Sequence, residues 1–220
     1  MLDIREAFLF PFKDPNWIVK VLLGAVFTAL SVVVIGIPVL FGYFIELIQR
    51  VQRSEQYPMP EWKDPGVKYI VGLKFLVTLI VYFLPLFVVL IPLVIMFALM
   101  TVVNPDIIEM LTETTAVGLA VLLILPYSLL MYFVMPFIAI QFAERESIRD
   151  GLRISTIYSA ARAQWQNALI VALLVIGVRI LAVLGLVFFL VGILATSFYA
   201  YLVAFHLYGQ LGQHINSHKS

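Results

Sequence analysis

Uncharged apolar runs alternate with short polar segments along the whole sequence. The runs cover residues 21–45, 75–103, 116–143 and 168–209, and only the last contains a charged residue, Arg179. About 20 apolar residues suffice to cross the hydrocarbon core of a bilayer as a helix. The pattern therefore predicts an all-α bundle of transmembrane helices.

Composition agrees with lipid as the solvent. The 220 residues are 63% hydrophobic and 12% charged, with a mean hydropathy of +1.05, whereas soluble domains carry about 25% charged residues. The net charge of +1 gives no reason to expect nucleic acid as a partner. We predict a single integral membrane domain over residues 1–220, with the bilayer as its first partner.

The distribution of cations predicts the orientation. The loop over residues 104–115 contains Asp106, Glu109 and Glu113 but no lysine or arginine, whereas the other polar segments carry several basic residues. Basic loops stay on the cytoplasmic side. The acidic loop is therefore predicted outside, and both termini are predicted in the cytoplasm.

The number of spans depends on the first and last runs. Gly36-Ile37-Pro38 interrupts residues 21–45, which form either one kinked span or a hairpin of two short spans. Basic residues on both flanks favour the hairpin, because they require an even number of crossings. Residues 168–209 would form a helix of about 63 Å and must fold back, between Gly185 and Gly192. We predict about six spans, or four if the first run is a single kinked helix and the last is re-entrant.

Each segment then has a predicted place. Trp17 and Lys20 mark a membrane edge, and Trp62 is predicted as an interfacial anchor. The segments are an interfacial piece at 1–16, a first hairpin at 17–53, a central helix pair at 75–143, a cytoplasmic amphipathic segment of two short pieces at 144–167, and a C-terminal hairpin at 168–212.

A weak internal repeat connects the two halves. Ile4-Arg5-Glu6-Ala7, followed by Trp17 and an apolar hairpin, resembles Ile148-Arg149-Asp150-Gly151, followed by Trp165 and an apolar hairpin. Repeats of this kind are common in transporters, whose helices are often broken. The prolines of the central pair mark either such breaks or simple kinks; they are Pro85, Pro92, Pro126 and Pro136.

Two charged residues are associated with the apolar runs, Glu46 at the end of the first and Arg179 within the last. A buried charge in a membrane usually faces the bundle and finds a partner. One hypothesis is that Glu46 and Arg179 pair and lock the two hairpins together. The alternative is that Glu46 sits at the interface and Arg179 reaches towards the headgroups.

Two further sets of residues suggest surfaces. Small residues that recur every four positions would let another helix approach closely, either within the bundle or in a homodimer; they are Gly192, Thr196, Ala200 and Ala204. Basic residues at the same spacing would contact anionic headgroups; they are Arg145, Arg149 and Arg153.

The sequence lacks the motifs of common enzymes. It has no HExxH, GxSxG, P-loop or dinucleotide fingerprint, and no cysteine. His206 lies near the end of the last span, and His214 and His218, four residues apart, fit a mobile polar tail better than a metal pair. We therefore expect no catalytic residue, no cofactor and no metal.

Five separated strings resemble a known family. They are Phe10-Pro11-Phe12-Lys13-Asp14-Pro15-Asn16-Trp17, Gly42-Tyr43, Met59-Pro60-Glu61-Trp62, Gly72-Leu73-Lys74 and Phe205-His206-Leu207-Tyr208-Gly209-Gln210. In this order they resemble the prokaryotic membrane-protein family DUF4013, which usually has leucine where this chain has Met59. The resemblance covers nearly the whole chain. It implies a polytopic protein of the prokaryotic inner membrane and implies no activity, cofactor or catalytic residue.

The expected function is correspondingly coarse. Large apolar faces and short loops favour a non-catalytic structural or accessory subunit that binds other membrane components, such as other subunits or a second copy. The alternative is a small transporter or permease-like protein, which the repeat, the prolines and the intramembrane charges would suit.

Overall fold

The computed structural model describes residues 2–103, 117–183 and 189–217, in which all regular structure is helical. The helices are α1 (Ile4–Lys13), α2 (Trp17–Leu30), α3 (Gly36–Gln52), α4 (Pro65–Val103), α5 (Val117–Ala143), α6 (Ile148–Gly151), α7 (Ile154–Ala163), α8 (Trp165–Val183) and α9 (Phe189–Ser217). The predicted acidic loop, the first half of the predicted turn between Gly185 and Gly192, and His218 lie outside the described residues.

The predicted all-α membrane bundle is confirmed. Among the described residues, four helices are long and apolar enough to span a bilayer, within α4, α5, α8 and α9. The last apolar run does fold back, because α8 and α9 pack against each other. The four-span alternative of the sequence analysis treated the last run as re-entrant. In the structure, the four candidate spans instead include both helices of that run, α8 and α9.

The first apolar run forms a hairpin of two short helices, α2 and α3, which pack on each other. The chain turns through a 3-10 segment, Ser31–Val33, and then at Val34, which has a φ of 68°. The turn precedes the predicted interruption. Pro38 lies in the first turn of α3, where the missing N–H of a proline removes no helical hydrogen bond. Neither α2, with 14 residues, nor α3, with 17, is counted as a span by itself.

A sharp bend joins α1 to α2. The side chain of Asp3 caps α1 by accepting a hydrogen bond of 2.8 Å from the amide of Glu6. Asp14 precedes Pro15 and is extended, as residues before proline usually are. This ends α1 at Lys13, and α2 leaves at an angle of 101° to it.

Contacts divide the chain into two compact units. The first contains Met1–Thr78 and Phe133–Ser220, and the second contains Leu79–Tyr132. In the first unit, α3 and α9 pack closely through rings such as Phe44 and Phe205, whose centroids lie 4.8 Å apart. In the second unit, the hydroxyl of Tyr127 donates to the backbone carbonyl of Tyr82.

The central helices are not broken at their prolines. Helix α4 continues through Pro85 and Pro92, and α5 continues through Pro126 and Pro136. The interpretation of these prolines as breaks that line a substrate path is therefore wrong for this chain. Neighbouring groups can satisfy the backbone near a proline within a transmembrane helix.

Two glycines let α3 and α4 touch backbone to backbone. A Cβ atom on Gly42 would overlap the carbonyl oxygen of Lys68, and one on Gly72 would overlap the carbonyl oxygen of Pro38. The neighbouring atoms are backbone and cannot rotate away. This crossing positions the polar ends of both helices.

We predict that Gly72→Ala destabilises the protein by about 1–3 kcal/mol, because the added methyl group forces the two helices apart. Denaturation in mixed detergent micelles would measure the change. Gly177→Ala is the matched control, since Gly177 has open space around it and alanine favours a helix by up to about 1 kcal/mol. Equal stability of the Gly72 variant and the native protein would contradict the packing argument.

Candidate functional site

Polar segments from distant parts of the sequence meet at one end of the first unit. We call this the polar end; it comprises α1, residues 53–64, residues 144–164 and the C-terminal turns of α3 and α9. Gln210 accepts from the amide of Asp3 at 2.9 Å and donates to its carbonyl at 3.0 Å. Gln49 donates to the carbonyl of Ala143 at 2.9 Å. The basic segments that were predicted to share one side of the membrane do meet at one end.

Lys20 is buried in this end, although the sequence suggested that it reaches the membrane edge. Its side chain is 5% exposed, and its ammonium lies 2.7 Å from a carboxylate oxygen of Asp14 and 2.7 Å from one of Glu61. A third contact, of 3.0 Å, joins it to the carbonyl of Met59. The cluster ties the α1–α2 bend to the connector between α3 and α4.

Trp62 is part of the packing at this end, and its predicted place at the membrane interface stays a prediction. Its indole stacks between Phe27, at 4.7 Å, and Tyr43, at 4.2 Å. Its N–H donates to the carbonyl of Lys20 at 2.9 Å, and the hydroxyl of Tyr43 donates to Pro60 at 3.0 Å. The connector is therefore fixed against the first hairpin.

The structure gives Glu46 and Arg179 separate partners. Glu46 pairs with Arg50 at 2.8 Å, one helical turn away, and with the buried ammonium of Lys68. The guanidinium of Arg179 lies 4.4 Å from the ring centroid of Tyr201, and its Nη1 is 3.2 Å from the hydroxyl of that residue. Glu46 therefore contacts cations of α3 and α4, whereas Arg179 contacts Tyr201 on α9. The hypothesis that Glu46 and Arg179 pair with each other is not supported by the described ion pairs.

A cavity of about 460 Å³ opens beside Glu46 at the polar end. Its lining includes four carboxylates and three cations, which are Glu46, Glu61, Asp64, Glu146, Arg50, Lys63 and Lys68. Several of these are already engaged, since Glu46 holds Arg50 and Lys68, and Glu61 holds Lys20. These ion pairs join α3 to α4 and the connector to α2.

The stripe of small residues on α9 faces α8. The hydroxyl of Thr196 donates to the carbonyl of Ala182 at 2.9 Å, and Ala200 and Ala204 are buried. Gly192, at the start of the stripe, is half-buried. This supports packing within the bundle, the first of the two interpretations of the stripe.

The predicted arginine stripe is interrupted, because the segment forms two short helices, α6 and α7, as expected. Arg145 precedes α6, Arg149 lies in α6, and Arg153 is the residue before α7. Arg153 and Arg145 lie 3.0 and 3.9 Å from the buried carboxylate of Asp150. Arg149 is exposed. Ile154 and Tyr158 are also strongly exposed on α7. Contact of these three arginines with lipid headgroups stays a prediction.

The histidines are placed differently from one another. His206 is buried and stacks on Phe10 with centroids 4.2 Å apart, and Gln210 is 3.3 Å from its Nδ1 atom. His214 lies in the last turn of α9. The part of the chain that the structure describes contains no group of three or more side chains suited to a metal ion.

Sequence reasoning missed the residues that organise the polar end, notably Asp14, Lys20, Glu61 and Gln210. Three of these lie in the strings that carry the family resemblance. The strings are distant in the sequence but pack on one another, as Asp14 and Glu61 do around Lys20. The sequence signal that pointed to three of these residues was that they lie in the strings that carry the family resemblance.

A bundle with an apolar outer surface and a self-paired polar end defines a polytopic helical membrane protein. A family model described as "Protein of unknown function (DUF4013)" matches residues 25–195. The chain therefore belongs to the DUF4013 family, as the resemblance implied. No curated protein and no solved structure matches it.

We predict that Lys20→Met destabilises the protein by about 3–5 kcal/mol, because it leaves Asp14 buried without its cation. Thermal unfolding in mild detergent would measure the loss. The matched control is Lys13→Met, since Lys13 forms an exposed pair with Glu6 and such pairs contribute about 0–1 kcal/mol. If both variants unfolded at the same temperature, the buried cluster would not hold the polar end together.

Proposed function

We propose that this DUF4013 protein is a non-catalytic accessory protein of the prokaryotic cytoplasmic membrane. It binds transmembrane helices of a partner protein through the outward faces of α4 and α5 in the second unit. The observation that carries the proposal is a difference in burial. The buried share of an 18-residue apolar stretch is 6% in α4 and 17% in α5, against 33% in α8 and 56% in α9.

The exposed face lies on the parts of both helices that belong to the second unit. On α4, Leu84 and Val88 lie one turn apart and are 54% and 63% exposed. On α5, Leu125 is 57% exposed. Lipid can cover such surfaces, but helices that contribute so little to their own bundle suit contact with a neighbouring protein.

The polar groups support a structural role. Glu46 and Arg50 on α3 pair with each other and with Lys68 and Glu55, respectively, and Glu61 of the connector pairs with Lys20. A catalytic site would need titratable groups that face a substrate.

A small transporter is the second candidate, because the two halves share a local arrangement. A short helix begins at Ile4 or Ile148, and a longer one begins at Trp17 or Trp165 and packs on the next helix of its half. Substrate-dependent flux in proteoliposomes would favour this candidate over an accessory role. The unbroken central helices weigh against it.

The proposed orientation places the polar end in the cytoplasm and the acidic loop outside. The native chain has no cysteine, so single cysteines report position directly. We expect a membrane-impermeant maleimide to label Glu109→Cys in intact cells and to label Lys63→Cys and Arg149→Cys only after permeabilisation, because basic segments are retained inside. The reverse labelling pattern would show that the protein has the opposite orientation in the membrane.

The proposed partner face is tested with a photo-crosslinking amino acid in cells. We expect Leu84 and Leu125, when replaced by p-benzoylphenylalanine, to give one discrete protein adduct. The adduct from position 84 should disappear when Val88→Trp blocks the same face. Val26 on α2, which is 54% exposed, is the matched control and should react only with lipid.

An adduct of twice the chain mass would identify a second copy as the partner. Equal adducts from positions 26 and 84 would contradict the proposal.

A further inference from the structure

The apolar surface of α7 is wider than the face that this helix buries. Ile157 and Ala161 are its buried residues, and Ile157 lines a small cavity together with Phe137 on α5. Ile154 and Tyr158 are also apolar, but they are 68% and 66% exposed. Residues three positions apart are neighbours on a helix surface. Half of the apolar surface of α7 therefore packs on the bundle, and the neighbouring half faces outwards.

The exposed apolar residues continue into α8. Only Gln164 separates the two helices; its N–H donates to the carbonyl of Ala160 at 3.0 Å, and its carbonyl accepts from Ala168 at 2.9 Å. Trp165 and Leu169 are 53% and 45% exposed. With the two exposed residues of α7, they follow at intervals of four, seven and four residues, which are helical intervals. The chain thus leads from the exposed apolar surface of α7 directly into that of α8.

Lipid is the expected surrounding of α8. Among the described residues, it is one of the four helices that are long and apolar enough to span a bilayer. Its 19 residues correspond to about 28 Å, and the hydrocarbon core is about 30 Å thick. Trp165, at the first position of α8, therefore lies at the edge of the hydrocarbon, where tryptophan is enriched. Helix α7, which ends two residues earlier, lies beside the headgroups.

Two exposed arginines accompany this surface. Arg149 on α6 and Arg162 on α7 are exposed, and neither belongs to an ion pair between residues that the structure describes. By contrast, Arg145 and Arg153 lie 3.9 and 3.0 Å from the carboxylate of Asp150, which compensates their charge. The positive charge that remains available therefore differs from the stripe that the sequence predicted, because it lies at Arg149 and Arg162.

We propose that α7 binds acidic phospholipids. Ile154 and Tyr158 enter the edge of the acyl-chain region, and Arg149 and Arg162 hold the headgroups. Arg162 follows Tyr158 by four residues, about one helical turn, so one layer of lipid meets both side chains. Exposed apolar residues combined with arginines are typical of helices at a membrane interface, and such arginines favour anionic lipids. The site does not depend on the proposed partner face of α4 and α5.

The first measurement locates α7 relative to lipid. The native chain has no cysteine, so Ile154→Cys in the full-length protein can carry an environment-sensitive fluorophore in vesicles of phosphatidylcholine and phosphatidylglycerol. We expect blue-shifted emission and strong quenching by lipids that are spin-labelled near the headgroup. Ser159→Cys is the matched control, since Ser159 is exposed on the same helix but lies about 140° around it from Ile154. Equal quenching at the two positions would overturn the proposal.

The second measurement tests the headgroup. The fluorophore at position 154 is quenched by spin-labelled phosphatidylglycerol or by spin-labelled phosphatidylcholine in otherwise identical vesicles. We expect phosphatidylglycerol to quench more strongly, and Arg162→Gln to lower this preference about threefold. Arg149→Gln together with Arg162→Gln should abolish it. Arg145→Gln is the matched control and should leave the preference unchanged, because it removes an exposed arginine whose charge Asp150 compensates.

The substituted side chains are all exposed, so we expect each variant to fold and to elute from a sizing column like the native protein. High salt should lower the preference for phosphatidylglycerol, because it screens exposed charges. A preference that survives Arg162→Gln, or one that only Arg145→Gln removes, would overturn the assignment of the arginines. Equal quenching by both lipids in the native protein would show apolar contact without an acidic-lipid site and would overturn the proposal as well.

Discussion

The pairing of one buried ammonium with two carboxylates holds the polar end together. Lys20 joins Asp14 at the α1–α2 bend to Glu61 in the connector. Its backbone carbonyl accepts from Trp62, whose ring in turn contacts Tyr43 on α3. A buried charge of either sign is costly without its partner. The cluster therefore fixes which segments can be neighbours, and the first hairpin and the connector take their places from it.

The transmembrane helices could be predicted from the sequence, because the length of an apolar run is a property of one segment and needs no knowledge of its neighbours. The hairpin in the first run was also predictable from the cations on its flanks. Its turn was misplaced because Val34, a β-branched residue, adopts a positive φ that no local pattern indicates. The pairing of Glu46 with Lys68 was missed because it depends on the close contact of Gly42 with α4, which joins residues distant in the sequence.

Residues of the strings that carry the family resemblance make packing contacts in the structure. Trp62 stacks on Tyr43, Gly72 approaches Pro38, and Gln210 binds the backbone of Asp3. These contacts explain why the strings identify the fold and leave the activity open. Positions that distinguish a function would lie on surfaces that the bundle leaves exposed, and the outward faces of α4 and α5 are among them.

The contacts of α9 impose an order on biosynthesis. Gln210 on this last helix binds Asp3 near the beginning of the chain, and Gln213 reaches the carbonyl of Val51 on α3. Helices leave the ribosome from the N-terminus onwards, so the first hairpin enters the membrane long before its main packing partner exists. Until α9 has been made, α1, α2 and α3 lack one of the surfaces against which they pack.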